Sequence, residues 1–367
     1  MIENIYDQID TIENKAFDFL NKVDNVDVIL FGSGRAAQWY IRFLKKYNIE
    51  PKCIIDNNKE KWGTFAYGIP VCCLDEAIQK YDNYVIVISA PKFLREIKKQ
   101  LIEKCGKERI FDFEAEIYYS YNYDISKYRK YVKDNWGSIC NLYNKLQDDK
   151  SREVLEAFIL GRLSADQEYF INVMSEDQYY TSDLIHFTDN EVMVELGSNN
   201  GETLLQFLDK VDRKYNSVYC FEPDNVSIMQ IKDIIEKEHG NIHLIEKGAW
   251  DKAAKLSFFS DSSSGASHIV ENDDNASYYI LVDSIDNNVS GEITYVKMDI
   301  EGSELKALKG GEKSIIKYRP KLAICVYHNK EDLLDIVDYL ESIVPDYKLF
   351  LRHHNWGAAE TVLYAII

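Results

Sequence analysis

The stretch VMVELGSNNGETLLQF, residues 192–207, is a short apolar run that stops at a carboxylate, Glu195. Gly197 and Gly201 follow, with Asn199 and Asn200 between them, and a helical pattern begins at Glu202 and Thr203. Strand, glycine turn and helix in that order is the arrangement of nucleotide sites in α/β proteins. Glycine there lets backbone come close to a ligand. The turn is shorter than a P-loop and lacks the lysine that would meet phosphates, so a ligand without phosphates is expected.

The following strands extend this reading. One ends in FEPDN, which puts Glu222 and Asp224 at a strand's carboxyl end, where Glu222 can accept both hydroxyls of a ribose. Another ends in IEKGAW, where the backbone of Gly248 and Ala249 offers a surface for an adenine. These three strand ends form the binding pattern of S-adenosylmethionine, whose sulfonium and ammonium tolerate acidic surroundings. Expected cofactor-binding residues are Glu195, Gly197, Asn199, Asn200, Gly201, Glu222, Asp224, Gly248 and Ala249. Further strands read at ITYVKMDI and KLAICVY, and a helix at KEDLLDIVDYLESI. YKLFLRHHN and AAETVLYAII leave little room for a helix between them, so they should pair antiparallel.

Residues 190–367 resemble the FkbM-type methyltransferases along their whole length. The carrying stretches are VELGSNNGET, CFEPDN, KMDIEGSELKALKGG, RPKLAICVYHN and LFLRHHN with ETVLYA. The resemblance implies a class I methyltransferase fold, a seven-stranded α/β sheet with the last strand antiparallel, and S-adenosylmethionine as methyl donor. The first motif departs from the family pattern: Glu195 and Asn200 stand where two aspartates are expected.

Methyl transfer needs an aligned acceptor, and a hydroxyl acceptor needs a base. Ligands of open α/β sheets gather at the carboxyl ends of the strands. The polar residues expected there are Asp299 and Glu301, then His328, then His353 and His354. Asp299, Glu301, His328 and His353 are the catalytic candidates, with Asp299 or His328 as proton acceptor. Each also has a plain structural reading: Asp299 as a helix cap, Glu301 and Glu304 as first-turn acids, the histidines as hydrogen-bonded surface groups. Asp299, Glu301 and a histidine could ligate a divalent cation, but their spacing establishes no metal site. SDSSSGASHIV, residues 260–270, reads as a lid over the donor or as a plain surface loop.

The first 22 residues read as one amphipathic helix. VDVILFGSGRAAQWYIRFLKKYNI then gives a second strand–glycine–helix unit, with Gly32, Gly34 and Ala37 in a G-x-G-x-x-A turn and Asp56 about 22 residues beyond Gly34, near the spacing of a ribose-binding acid. Only half of a doubly wound sheet is present, ending near residue 115, and no catalytic set follows. IIDNNKEKWGTFAYGIPV resembles the small N-terminal Rossmann-like domains of bacterial sugar-modifying enzymes. A nucleotide-sugar or glycan-presenting role ranks first for this half-domain, a structural relic second, NAD third. Residues 116–189 are aromatic and helical in period, a helical linker whose tyrosines pack domains together or form a homodimer contact. The expected domains are therefore 1–115, 116–189 and 190–367.

The chain has 367 residues, 46% hydrophobic, with a formal net charge of −18. The acidity excludes a nucleic-acid partner and an anionic membrane surface, and no apolar run has the length of a membrane span. Seven cysteines, odd in number and without a C-x-x-C pair, read as reduced thiols of a cytoplasmic protein rather than a zinc site. The combined expectation is a bacterial S-adenosylmethionine-dependent O-methyltransferase acting on a carbohydrate or nucleotide-sugar acceptor. The rivals are N-methylation of an amino-sugar or amino-acid substituent, and a nucleotide-sugar-binding protein with a vestigial donor site.

Overall fold

A computed structural model describes residues 2–120, 124–260, 267–270 and 278–367. The chain divides into two compact units. The first comprises residues 1–136, 153–174 and 355–359; the second comprises 137–152, 175–354 and 360–367. The segment 116–189, read from sequence as a separate linker, is thus divided between the two.

The first unit is built on a six-stranded sheet. Its centre is Asp27–Phe31, parallel to Ile54–Ile55 on one side and to Tyr84–Ile88 on the other. The short strands Phe65–Ala66, Ile69–Cys72 and Ile110–Phe111 complete it. These are two to four residues long, too short for a period-2 signal in the sequence. Side chains alternate between faces. Val28 and Leu30 join one core cluster with Tyr40, Phe43 and Phe113, and Ile29 and Phe31 join another with Leu94 and Leu101. The first 22 residues form two helices, Glu3–Gln8 and Lys15–Lys22, not one. The break is set by Asn14, whose extended backbone and side-chain oxygen cap the second helix at Ala16 and Phe17.

The second unit carries a seven-stranded sheet. Across it run Lys348–His353, Thr361–Ile366, Lys321–Cys325, Tyr295–Met298, Val192–Leu196, Ser217–Phe221 and Ile242–Ile245. Thr361–Ile366 is antiparallel to both of its neighbours, and the remaining pairings are parallel. The chain starts at Val192–Leu196, builds outward one way, then returns to lay Tyr295–Met298 on the opposite side. The switch point where ligands of such sheets bind therefore lies between these two strands. A separate four-stranded sheet holds Gly248–Ala249, Tyr278–Asp283, Ala254–Ser260 and Ser267–Val270. The sequence reading carried one strand through IEKGAW, but Ile242–Ile245 and Gly248–Ala249 belong to different sheets. The stretch read as a lid or loop is strand at Ser260 and over 267–270, paired antiparallel; residues 261–266 lie outside the described residues.

Segment 137–152 is tied to the second unit by Arg352, which is 2% exposed. Its guanidinium donates to Asp148 at 2.7 Å, Asp183 at 2.9 Å and the Ser151 hydroxyl at 3.0 Å. Arg352→Ala is expected to destabilise this unit by about 2–3 kcal/mol in urea unfolding. That is less than the loss for a fully buried pair, because both carboxylates keep some water. A loss below about 0.5 kcal/mol would show that the network is no more than an ordinary surface set.

Candidate active site

The turn after Val192–Leu196 has little conformational choice. Gly197 has φ +78° and Gly201 φ +80°. A Cβ on Gly197 would lie 1.9 Å from the carbonyl oxygen of Asp299, so the turn and the end of the neighbouring strand touch backbone to backbone. Asp299 N–H also donates to the Leu196 carbonyl at 3.1 Å. The sequence motifs ELGSNNG and KMDIEG thus meet at the switch point.

Each predicted donor-site residue has a definite place. Glu222 is 6% exposed, and its two oxygens accept from the backbone N–H groups of Asn199 at 2.7 Å and Asp224 at 3.0 Å. Burial pushes its carboxyl up to about 7 despite these bonds. The Asn200 side chain accepts the Glu202 N–H at 3.1 Å, just ahead of the helix Glu202–Lys210, whose N-cap is Gly201. Asp224 caps Asn225–Glu238 and also accepts the Tyr278 hydroxyl at 2.7 Å. Glu195 is fully buried, takes the Thr203 hydroxyl at 2.5 Å and the Cys220 thiol at 3.6 Å, and so ties strand to helix. Gly248 and Ala249 pair with Val282 and Asp283.

The catalytic candidates separate. Asp299, Glu301 and His328 come together: His328 Nε2 is 3.5 Å from Asp299 and 3.4 Å from Glu301. His328 Nδ1 faces the buried Glu304 at 3.1 Å. Asp299 also accepts the Tyr179 hydroxyl at 2.8 Å and the Tyr327 hydroxyl at 3.4 Å. His353 lies on the outermost strand, with two strands between it and the one leading to Asp299, and its Nδ1 is 2.9 Å from the Thr361 hydroxyl. His354 is held between Ser175 and Tyr364, and burial drives it down to about 4.

The electrostatics reverse one expectation. Burial pulls His328 down, but Glu304, Glu301 and Asp299 outweigh it and hold the ring at about 10. At neutral pH it is a cation, unable to act as a base. Burial opposes ionisation of Asp299, yet Lys297, His328 and the Tyr179 bond keep it below the ordinary carboxylate value. Glu301 is lifted by burial to about 7 against the pull of His328. It is the one predicted candidate poised near neutrality with its side chain partly open, 35% exposed.

One ligand atom each from Asp299, Glu304 and His328 lie within 4.8 Å of one another, as do those of Asp299, Cys325 and Glu360. Both sets have the spacing of a metal site, and a cation there would displace the proton held by His328 in the first or by the Cys325 thiol in the second. All seven cysteines are free; Cys53, Cys72, Cys220 and Cys325 are buried. In the first unit, the Asp56 carboxylate is already filled by Ser33 N–H at 3.1 Å and by Lys61 at 3.0 Å. No described helix is long and apolar enough to cross a membrane.

Two groups at the site were not legible as such. Tyr179 comes from the segment read as linker, and nothing in the sequence singles it out. Lys297 had a signal, a lysine inside the buried run YVKM.

The strand order, the antiparallel last strand and the glycine turn at the switch point define a class I methyltransferase fold. Residues 195–347 match the family described as the methyltransferase FkbM domain, and residues 24–111 match one described as C2185-like, N-terminal. The chain therefore carries a methyltransferase domain of the FkbM family. The crystal structure of methyltransferase FkbM from Methylobacillus flagellatus KT is similar over 98% of this chain and 96% of that one, with a TM-score of 0.75 and 24% identity. An rRNA methylase from Streptococcus thermophilus is similar over 48% of this chain and 86% of that one, with 16% identity and a TM-score of 0.31. No curated protein matches the sequence.

Proposed function

We propose that the second unit binds S-adenosylmethionine at the switch point and transfers its methyl group to a hydroxyl of a carbohydrate, free or as a nucleotide-sugar. The carrying observation is the contact of the Gly197 turn with Asp299, with Glu222 buried at the next strand end. Glu222 keeps unused lone pairs on both oxygens for two ribose hydroxyls. Gly197 and Gly201 let the turn pack directly against the Asp299 carbonyl and Ile234, which fixes the path of the main chain that would meet the methionine end of the donor. Glu301 takes the acceptor's proton, and the His328 cation steadies the carboxylate that forms when Glu301 is ionised. The carbohydrate acceptor is supported by the first unit's resemblance to domains of sugar-modifying enzymes.

Calorimetric titration of the full chain with S-adenosylmethionine tests the donor site directly. One saturable site per chain is expected. A flat titration would sink the reading and leave the fold without its ligand. Transfer of labelled methyl from the donor to a panel of glycans and nucleotide-sugars then tests the acceptor.

A further inference from the structure

Lys297 is unusual among the lysines of this chain in being buried within a strand. It is 2% exposed, and its neighbours Val296 and Met298 are buried as well. The register sets it beside Glu195 on one strand and Ala323 on the other. Its ammonium donates at 2.6 Å to the carbonyl of Gly197 and lies 4.9 Å over the Tyr179 ring. Burying an ammonium is costly unless its surroundings compensate it. A main-chain carbonyl and an aromatic face supply part of that compensation. The rest comes from two carboxylates on which its charge acts, Glu222 and Asp299.

The geometry points to Lys297 as the residue that positions the methyl donor, by fixing the Gly197 carbonyl and holding a positive charge against the glycine turn. This inference rests on the donor-binding reading above. With the Gly197 carbonyl drawn to Lys297, the next peptides are oriented so that Asn199 N–H meets Glu222. One side chain thereby sets both the shape of the turn and the charge of the group that receives the ribose. Lys297 touches neither donor nor acceptor in this arrangement; it acts through Gly197 and Glu222.

The test uses the full chain and S-adenosylmethionine as probe, with the dissociation constant measured across pH. Two charged side chains act on Glu222: Asp224 from its own turn, which favours the neutral form, and Lys297 from the sheet, which favours the ionised form. Wild-type binding should tighten as pH rises through about 7, as Glu222 ionises. Lys297→Met, which fills the space without a charge, should weaken binding roughly 10-fold or more and move the tightening to higher pH. A purely structural role would weaken binding equally at every pH. An unmoved pH limb, or unchanged affinity, overturns the inference. If the methionine variant loses its cooperative melt, Lys297→Arg decides. The retained charge should keep the limb at its wild-type pH, and a displaced limb counts against the inference. Wild-type protein that binds no donor would instead refute the donor reading itself, so the two failures are distinguishable.

Discussion

Replacing Glu222 with alanine is expected to weaken S-adenosylmethionine binding by roughly 10- to 150-fold. That corresponds to the loss of a charged hydrogen-bond acceptor, about 1.5–3 kcal/mol. The upper end is favoured, because the carboxylate also holds the backbone N–H of Asn199 and of Asp224. Its removal therefore loosens the turn and the ribose contact together. Glu222→Gln keeps the size and one acceptor oxygen, so it should fall between the alanine variant and the parent. The pH dependence has a definite sign. Burial raises Glu222 to about 7; only the ionised form can accept freely from two hydroxyls. Affinity should then rise with pH through that value, and donor binding below it should release a proton. Parent-like affinity in Glu222→Ala, with an intact thermal transition, would show that the ribose lies elsewhere.

The elements legible in the sequence were those with strong local chemistry. Val192–Leu196, Ser217–Phe221 and Lys321–Cys325 are each five residues and almost wholly buried, and they show as continuous apolar runs, as strands covered on both faces do. The antiparallel closing pair followed from a connection too short for a helix. What stayed hidden was set by tertiary contact. The strands Phe65–Ala66 and Ile110–Phe111 are two residues long and exist only because a neighbour pairs with them. The division of 116–189 between two units depends on contacts such as Arg352 with Asp148, some 200 residues apart.

The site divided along the same line. Gly197, Asp299 and Glu222 could be placed by motif and strand order. The protonation of His328 could not, because it depends on Glu304 standing 3.1 Å away, and a sequence gives spacing along the chain but not distance across a turn. In sequence Glu304 is only a first-turn helix acid. Folded, it is fully buried and accepts the Ile300 N–H at 2.9 Å while facing the imidazole. Lys297 left only a trace, a lysine inside the apolar run YVKM, and that trace does not say what the ammonium meets.

Glu301→Gln is expected to lower turnover by about 10²- to 10⁴-fold, the usual effect of removing a positioned base, while leaving donor affinity within about twofold. The parent rate should rise with pH through about 7, since Glu301 must lose its proton before it can accept one. A rise near neutrality would, from sequence alone, have been assigned to His328. The structure assigns that ring the opposite state: protonated until about pH 10, it is already charged across the working range. His328→Ala separates the two assignments. The histidine cation favours ionised Glu301, so removing it should push the carboxyl higher and shift the rate limb to higher pH without erasing it. Were His328 the base, the limb would vanish and the rate would fall at every pH. Asp332 and Glu360 are also lifted to about 7, so persistence of the limb in Glu301→Gln would transfer it to one of them. A parent-like rate in Glu301→Gln, with the pH limb gone and the rate equally unaffected in Asp299→Asn, would remove the need for a base altogether. It would favour an amine acceptor, which can lose its proton to water, and with it the N-methylation of an amino-sugar or amino-acid substituent.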